Sequence, residues 1–281
     1  MKVIHSIKSI QGLTPKLKQH NKKIGFVPTM GALHQGHISL IRRAKKETDI
    51  VVVSIFVNPT QFNKNEDFNK YPKPIKKDIA LCKNENVDLV FIPKMSLVYT
   101  ENYLTYITVE KLSDIMCGKF RAGHFRGVTT IVAKLFNIVQ PDRAYFGLKD
   151  FQQSVIIKKM VSDLNFPVKI ITCPTIREKN GLAISSRNIY LTELEKKKAL
   201  IISSALQEAK NLIKYKKVKS VEEIIFKMRK MILPNVDKID YIDIRDAHML
   251  GEIKKIDKKV IIAVAVFVGK TRLIDNIIVD C

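Results

Sequence analysis

The sequence predicts an α/β fold in which a doubly wound parallel sheet is followed by a smaller α+β domain. Strand-like and helix-like segments alternate up to about residue 175, as they do in the βαβ units of a parallel sheet. Beyond that point two helices come in succession and three strand-like runs follow, which is typical of a unit with an antiparallel sheet. We therefore expect one domain over residues 1–175 and a second over residues 176–281.

The elements of the first half follow from hydrophobic periodicity and from runs of β-branched residues. In chain order we expect a helix in SIKSIQGLTPKLKQHN, a strand in IGFVPT, a helix in HISLIRRAKKE that begins at about His37, a strand in DIVVVSIFV, a helix in PIKKDIALCKNEN and a strand in DLVFI. After a loop-like stretch the order continues with a helix in GVTTIVAKLFNIV, a strand in RAYFG, a helix in DFQQSVIIKKMVSDL and a strand in PVKIIT.

The second half is marked by its helix starts. Thr192 and Glu195 have the spacing of a capping box at the start of a long helix, and Ser220 with Glu223 repeats that spacing before VEEIIFKMRKMIL. The strand candidates are IDYIDIRD, KVIIAVAVFV and LIDNIIV. The apolar run VIIAVAVFV is less than half a membrane span and is rich in β-branched residues, so we expect a buried strand there.

The net charge of +22 raises the question of a nucleic-acid partner. Arginine supplies few of the 49 basic residues, and the lysines are scattered along the whole chain in helix-like segments. A nucleic-acid groove would concentrate arginines and aromatic residues. We therefore expect a solvated basic surface with a bias toward small anionic substrates, and no nucleic-acid partner.

The cysteines and the N-terminal segment indicate the compartment. Four widely spaced cysteines, without a C-x-x-C pair, favour reduced thiols over disulfides or a zinc site; they are Cys82, Cys117, Cys173 and Cys281. The segment MKVIHSIKSIQGL lacks the continuous apolar region of a signal peptide. We expect a cytoplasmic protein that does not bind or cross a membrane.

The stretch PTMGALHQGH joins a predicted strand to a predicted helix and carries two glycines and two histidines. Backbone N–H groups and the helix dipole at such a helix start form a natural phosphate site, and glycines let a ligand approach the backbone. Zinc would need a third protein ligand, and no H-E-x-x-H motif is present. The residues alone favour a phosphate site over a plain structural turn, and both over a metal site.

Several motifs in order carry a resemblance to a known family. H-x-G-H between a strand and a helix resembles the signature of the nucleotidylyltransferase superfamily. The runs VPTMGALHQGH, VVVSIFVNPTQF, YPK, GHFRGV, KLFNIVQPDRAYFGLKDFQQ and GLAISSRNIYLT are similar to successive motifs of the pantothenate synthetase (pantoate:β-alanine ligase) family, and RLIDN near the C-terminus is also family-like. These motifs span roughly residues 24 to 193.

The resemblance implies a Rossmann-like domain with a C-terminal lid domain and an ATP-dependent reaction in two steps. Pantoate and ATP would give pantoyl adenylate and pyrophosphate, and β-alanine would then attack to give pantothenate and AMP. It also implies a homodimer. Mg²⁺ is the implied cofactor, and it would arrive with ATP because phosphate oxygens and waters can hold it without a protein ligand. We assign no metal-binding residue.

The resemblance also assigns residues to the substrates. His37, His34 and Lys149 would be catalytic. We interpret the main role of His37 as that of an electrostatic donor to phosphate. Gln61 and Gln153 would bind pantoate or β-alanine, and the neighbouring Gln152 would point elsewhere on its helix. The implied ATP-binding residues are Met30, Gly31, Ala32, Leu33, His34, Gln35, Gly36, His37, Gly147, Leu148, Lys149, Asp150, Ile176, Ile184, Ser185, Ser186 and Arg187. Weaker candidates are Asn58, His124 and Arg126.

Three positions depart from the family pattern, and two other functions stay open. Lys73 stands where the family often has arginine, Leu148 where it commonly has glutamate or lysine, and Lys77 where some relatives have an acid. The first alternative is another nucleotidylyltransferase of the H-x-G-H superfamily. The second is a non-enzymatic nucleic-acid-binding protein.

Overall fold

A computed structural model describes residues 1–64 and 66–280. Within these residues, nine strands form two sheets. The first sheet is parallel throughout and has the order β1-β4-β3-β2-β5-β6, and the second is antiparallel with the order β7-β8-β9. The strands are β1 (Lys2–Ile4), β2 (Ile24–Thr29), β3 (Ile50–Ile55), β4 (Leu89–Phe91), β5 (Arg143–Gly147), β6 (Lys169–Cys173), β7 (Lys238–Asp246), β8 (Val260–Val268) and β9 (Thr271–Val279). The predicted fold class is confirmed.

The helices lie between and after these strands. They are α1 (Ile7–Gln19), α2 (Gln35–Glu47), α3 (Ile75–Asn84), α4 (Met95–Val98), α5 (Cys117–Phe120), α6 (His124–Val139), α7 (Phe151–Asp163), α8 (Glu193–Lys214) and α9 (Val221–Ile232). Short 3₁₀ helices span 59–61, 67–69, 148–150, 186–190 and 233–235.

Neighbouring residues of β2 show that the parallel sheet is covered on both faces. Phe26 packs into the apolar cluster that contains Ile10 of α1 and Phe136 of α6. The next residue, Val27, belongs to a separate cluster with Ile41 of α2. Because successive side chains of a strand point to opposite faces, helices must cover both faces of this sheet.

The strand order places a crevice beside β2. From β2 the chain builds the sheet in one direction through β3 and β4, and it later adds β5 and β6 on the other side. The direction therefore reverses between β2 and β5, which pair directly at Phe26 and Ala144. In open α/β sheets ligands bind at the carboxyl ends of the strands at such a reversal. The turns that follow β2 and β5 are the ones that carry the two predicted phosphate motifs.

The second sheet packs against α8 and α9 around a core that contains Leu206, Ile224 and Val264. The capping box at Thr192 is complete, since Glu195 accepts from the Thr192 N–H at 2.8 Å and donates its own N–H to the Thr192 hydroxyl at 3.2 Å. Ser220 forms only the first half of its box, because the Glu223 carboxylate pairs with Lys227 instead. The repeated capping box is thus a partial error of the sequence analysis.

Some boundaries differ from prediction. α2 begins at Gln35 rather than about His37, α6 begins at His124 rather than at residue 127, and β1 was not predicted. Within residues 1–64 and 66–280, no helix is long and apolar enough to span a membrane. The domain boundary near Thr175 stays a prediction; the last strand of the parallel sheet ends at Cys173.

Candidate functional site

A cleft of about 1560 Å³ lies between the two sheets. Its walls come from the turns after β2 and β5, from the segment 174–190, and from residues of β7 and β9 such as Asp240 and Arg272. A pocket for one small ligand usually measures roughly 300–1,000 Å³. This cleft therefore has room for a nucleotide together with a second small molecule.

The turn between β2 and α2 is capped by its two histidines. His34 is the N-cap residue of α2, and its Nδ1 accepts the N–H of Gly36 at 3.1 Å. Nδ1 of His37 accepts the N–H of His34 at 3.3 Å. Because Nδ1 accepts in both rings, the hydrogen-bond network assigns the proton of each neutral ring to Nε2. Each histidine thus keeps its Nε2–H as a donor. The backbone N–H groups of His34 and Gly36, which were expected to face a ligand, instead donate to the histidine side chains.

Both histidines are neutral at neutral pH. Burial lowers the pKa of His34 to about 4, and the positive charge of Lys149 lowers it further in the same direction. Burial also lowers the pKa of His37 to about 3, with smaller contributions from His34 and Lys149. The two rings lie with centroids 4.1 Å apart. They are therefore two uncharged hydrogen-bond donors beside a lysine, and neither ring is a protonated imidazolium.

The glycines of this turn are required by close contacts. Gly31 has φ +84°, and a Cβ there would lie 3.0 Å from a carboxylate oxygen of Asp78. A Cβ on Gly36 would lie 2.9 Å from the His34 ring. A side chain at Gly36 would thus push His34 off the N–H that it caps.

Asp78 of α3 anchors the same turn by binding two of its backbone N–H groups. Its two carboxylate oxygens accept the N–H groups of Ala32 at 2.9 Å and of Leu33 at 2.8 Å. The side chain is fully buried, and burial raises its pKa. Ala32 itself is held at φ +50°, an unfavourable conformation for a residue with a Cβ. Asp78 therefore fixes a strained turn whose next residue is the N-cap histidine.

The 3₁₀ helix 148–150 brings Lys149 and Asp150 to the cleft after β5. The side chain of Lys149 is only 19% exposed, and its Nζ lies 4.0 Å from the Asp150 carboxylate. Leu148 instead packs against the apolar cluster around Phe151 and Ile156. The lysine is therefore the cation that faces the histidine turn from the neighbouring strand.

Most of the predicted ATP-binding residues line one cleft. They are Met30, His34, Gly36, His37, Gly147, Lys149, Asp150, Ile176, Ile184, Ser185, Ser186 and Arg187. Five others do not line it. Gly31, Ala32 and Leu33 form the anchored part of the turn, Gln35 is exposed and Leu148 is packed elsewhere.

Gln61 is held in a fixed position by Asn58. Asn58 is buried, and its amide nitrogen donates to the Gln61 side-chain oxygen at 3.0 Å and to the Gly127 carbonyl at 3.1 Å. The Gln61 amide nitrogen lies 3.1 Å from the Met30 sulfur. Asn58 therefore orients Gln61, which borders the turn after β2, and both residues line the cleft.

Gln152 and Gln153 separate as the helical spacing predicts. Gln152 is buried, where it accepts the N–H of Cys117 and donates to the carbonyls of Leu112 and Ile115. Gln153 lines the cleft. Of this pair, only Gln153 is available to a ligand there.

The segment around His124 supports the cleft wall. Nδ1 of His124 donates to the Gln61 carbonyl at 2.8 Å, and its Nε2 accepts from Arg121 at 3.1 Å. Arg121 in turn pairs with Glu66.

Arg126, by contrast, is exposed and stacks over the Tyr106 ring at 4.6 Å outside the cleft. Its candidacy as a ligand-facing residue is not supported by this position.

The segment Ser185–Arg187 lies on the cleft wall with partners from the first sheet's loops. The Arg187 guanidinium pairs with both carboxylate oxygens of Asp67 at 2.7 and 2.9 Å. The Ser186 hydroxyl lies 3.0 Å from the Tyr71 hydroxyl. Ser185 caps the 3₁₀ helix 186–190 by accepting the Arg187 N–H. Arg187 thus bridges the cleft.

The sequence analysis missed Asp78, Glu66 and Asp67. Each acts on a residue dozens of positions away, so no local pattern marks it. For Glu66 and Asp67 the sequence does carry a signal, which is a pair of adjacent acids in the segment before YPK of a strongly basic chain. Among residues 1–64 and 66–280, no group of three His, Cys, Asp or Glu side chains could hold a metal ion.

Comparison with known proteins agrees with the fold. A family model described as Pantoate-beta-alanine ligase matches residues 2–278. The chain is 51% identical over 281 residues to the pantothenate synthetase of Caldicellulosiruptor bescii, covering 100% of this chain and 99% of the relative. It is 50% identical to that of Thermosipho africanus, covering 99% and 100%.

Solved structures show the same relationship. The pantothenate synthetase of Thermus thermophilus superposes with a TM-score of 0.92 at 39% identity, over 99% of each chain. A Francisella tularensis pantoate-beta-alanine ligase, described as complexed with beta-gamma ATP and beta-alanine, superposes with a TM-score of 0.82 at 39% identity, over 99% of this chain and 97% of that one. The chain therefore belongs to the pantoate-beta-alanine ligase family.

Proposed function

We propose that this cleft joins pantoate to β-alanine at the expense of ATP, through a pantoyl-adenylate intermediate. In the first step the pantoate carboxylate attacks the α-phosphorus of ATP and pyrophosphate leaves. In the second step the β-alanine amine attacks the acyl carbon, which gives pantothenate and AMP. A free carboxylate has no good leaving group, whereas the mixed anhydride expels a stable phosphate monoester. Membership in the family supports this reaction.

The observation that carries the proposal is the meeting of two neutral histidines with Lys149 at one edge of the cleft. Adenylation builds negative charge on the α-phosphate and on the departing pyrophosphate. Fixed donors that point at developing charge are usually the largest source of catalysis in such a step. We assign the Nε2–H groups of His34 and His37, and the ammonium of Lys149, to these phosphate oxygens.

Ser185, Ser186 and Arg187 are assigned to the leaving phosphates from the opposite wall. Two hydroxyls and a guanidinium suit phosphate oxygens, and arginine can bind two of them at once. Arg187 would exchange its partner Asp67 for phosphate when ATP binds. Asp150 would hold the ribose or the loop beside Lys149.

Gln61 and Gln153 are assigned to pantoate and β-alanine. A neutral amide both donates and accepts, so it can orient hydroxyls and a carboxylate without adding a charge that competes with the phosphates. The fixed amide of Gln61, held by Asn58, supports this role.

Mg²⁺ is proposed to enter with ATP. Glu66 and Asp67 are already paired with Arg121 and Arg187, and the described residues offer no three-ligand cage. This chain therefore suits a metal held by phosphate oxygens and waters, which is a common arrangement for Mg²⁺. When bound, it would neutralise phosphate charge.

Release of AMP, measured with pantoate, β-alanine or ATP omitted in turn, tests the reaction. We expect AMP only when all three are present, and exchange of labelled pyrophosphate into ATP only when pantoate is present. Equal exchange without pantoate would indicate a different nucleotidylyltransferase. Tight, strongly salt-dependent RNA binding without AMP release would indicate a nucleic-acid-binding protein.

Substitution tests the assigned residues. We expect His37→Ala and Lys149→Ala to lower pantoate-dependent exchange by about a hundredfold or more, because each removes a donor aimed at transition-state charge. Unfolding midpoints should change little. Lys159→Ala removes an exposed lysine of α7 that pairs with Asp163, and it should leave exchange unchanged. Near-normal exchange in either site variant would remove that residue from the site.

We also propose a cytoplasmic homodimer. The three described cysteines are free and buried. The surface near α4 exposes the apolar side chains of Met95, Leu97 and Leu104, which supports an interface on the first domain. A monomeric mass in sedimentation velocity would contradict the dimer.

A further inference from the structure

Asn276 belongs to the second sheet, but its side chain holds the turn that carries Lys149. It lies on β9 within the motif RLIDN. Its amide nitrogen donates to the Leu148 carbonyl at 3.0 Å and to the Lys149 carbonyl at 2.8 Å. The residue is only 7% exposed, so water competes little for these bonds.

Asn276 is itself fixed by a charged pair. A carboxylate oxygen of Asp275 accepts the Asn276 N–H at 2.8 Å. Arg177 pairs with both oxygens of Asp275, at 2.6 and 2.9 Å, and Asp275 is almost fully buried. Arg177 also donates to the Gly181 carbonyl at 3.0 Å. This set of bonds therefore links β9 to Arg177 and Gly181, in the segment that leads into Ser185–Arg187.

The turn at 148–150 needs such support. It is a 3₁₀ helix of three residues without a side-chain cap, and helices this short gain little from their own hydrogen bonds. The lysine side chain is flexible, so the position of its ammonium depends on how firmly the backbone at Lys149 is held. Two bonds to successive carbonyls at this point remove the freedom of the turn to rotate away from the cleft.

We propose that Asn276 is a positioning residue for adenylation, which acts by holding Lys149 in place against the phosphates. The Arg177–Asp275 pair orients Asn276, and RLIDN thereby acquires a role. The inference rests on the proposed function, because it takes Lys149 to bind ATP phosphates. It adds that a residue of the second sheet sets the geometry of a turn of the first.

Asn276→Ala and Asn276→Asp test the role of the amide. A displacement of about 1 Å can cost roughly a hundredfold in rate, so we expect pantoate-dependent exchange to fall about 10- to 100-fold in kcat. KM for pantoate should change far less, since Lys149 is assigned to the phosphates of ATP. Aspartate keeps the shape of asparagine but presents an anionic acceptor to two carbonyls. It should therefore be at least as inactive as alanine; better activity for aspartate than for alanine would mean that only volume matters, and would overturn the inference.

A double variant separates positioning from general support. If Asn276 acts through Lys149, adding Asn276→Ala to Lys149→Ala should lower exchange by less than about twofold, because the effects of coupled residues do not multiply. The full single-variant loss in that background would also overturn the inference. Asn235→Ala is the matched control, because it removes one amide bond to the Met231 carbonyl at the end of α9, and it should leave exchange unchanged.

Two safeguards keep the outcomes distinct. Unfolding midpoints are measured for every variant, and Asn276→Ser replaces Asn276→Ala if the alanine variant is unfolded at the assay temperature. If the unsubstituted protein forms no AMP from pantoate, β-alanine and ATP, the proposed function itself fails. If it does form AMP but Asn276→Ala retains full exchange, only the role of Asn276 fails.

Discussion

His34 and His37 combine two tasks that usually fall to different residues. N-cap positions favour serine, threonine, aspartate and asparagine, whose short side chains reach the backbone of the first turn. Here Nδ1 of His34 takes that role, Nδ1 of His37 accepts the N–H of His34, and Nε2 of each ring stays available to the cleft. A shorter cap residue would satisfy the helix but would leave no donor facing the ligand. The pair therefore ties the start of α2 to the position of its own donors.

His124 is neutral for a structural reason, and this has a consequence for stability. Burial, helped by Arg121, lowers its pKa from 6.5 to about 3. As the pH falls below 6.5 the unfolded chain takes up a proton on this residue and the folded protein does not. The stability contributed by neutral His124 is thus complete above pH 6.5 and is lost as the pH falls toward 3, at up to about 1.4 kcal/mol per pH unit.

His124→Asn should flatten this pH dependence. Asparagine can still donate to the Gln61 carbonyl but does not titrate. We expect the free energy of unfolding, from urea titrations at pH 7.5, 6 and 5, to fall less steeply in the variant, by about 1 kcal/mol per pH unit between pH 6 and 5. If the free energy of unfolding falls with pH equally steeply in His124→Asn and in the unsubstituted protein, the prediction is wrong.

At the scale of elements, α3 fixes the turn that α2 depends on. Asp78→Asn keeps the shape of the side chain but replaces one accepting oxygen by a donor that faces a backbone N–H of the turn. Leaving a buried donor unsatisfied costs roughly 1–3 kcal/mol. We expect a loss of that size in the free energy of unfolding, together with slower pantoate-dependent exchange, because the cap of α2 follows directly from Ala32 and Leu33.

Asp49→Asn is the matched control for Asp78→Asn. Asp49 also accepts a backbone N–H, that of Lys23 at 2.8 Å, but it is exposed and far from the cleft turn. Water can replace that bond, so we expect little change in stability or exchange. Equal losses of stability and exchange in the two variants would mean that the buried bonds of Asp78 stabilise the turn no more than an exposed bond does.

The elements themselves were largely predictable, because period and β-branched runs record which face is buried. β1 was missed since three residues are too few to show a period, and it is defined only by pairing with β4. The start of α2 was placed late because histidine is not an expected cap. Helix geometry predicted that only one of Gln152 and Gln153 faces the cleft, since adjacent helical residues point about 100° apart, and the family resemblance selected Gln153.

The support beneath the site was not predictable in the same way. Asp78 lies 45 residues from Leu33, and Asn276 lies 127 residues from Lys149. Such contacts depend on how helices and sheets pack, which one sequence without relatives does not record. The residues proposed to contact the ligand follow from motifs, whereas the bonds that hold those residues in place follow from the fold.

At the scale of the whole molecule, Arg187 and Asp67 join the two walls of the cleft. Asp67 lies in a 3₁₀ helix between β3 and β4, and Arg187 lies after β6. Both side chains are mostly buried, so removal of one partner leaves the other without its counter-charge. ATP phosphates would supply that charge again, because Arg187 is assigned to them.

Asp67→Asn should therefore cost stability in the free protein and recover it when nucleotide binds. Losing a hydrogen-bonded charge partner costs roughly 1.5–3 kcal/mol. Binding to the folded state alone raises stability, and here it also satisfies an unpaired arginine. We expect a non-hydrolysable ATP analogue, at the same concentration for both proteins, to raise the unfolding midpoint more in Asp67→Asn than in the unsubstituted protein.

Glu85→Gln separates this linkage from a general loss of ion pairs. Glu85 also binds an arginine through both oxygens, but its partner Arg42 lies on the outer surface of α2. The analogue should raise the midpoint of Glu85→Gln by the same amount as that of the unsubstituted protein, since phosphate cannot reach Arg42 from the cleft. If Asp67→Asn also shows an unchanged increase, then ATP does not take the place of Asp67 on Arg187, and the two walls are joined in the same way with and without nucleotide.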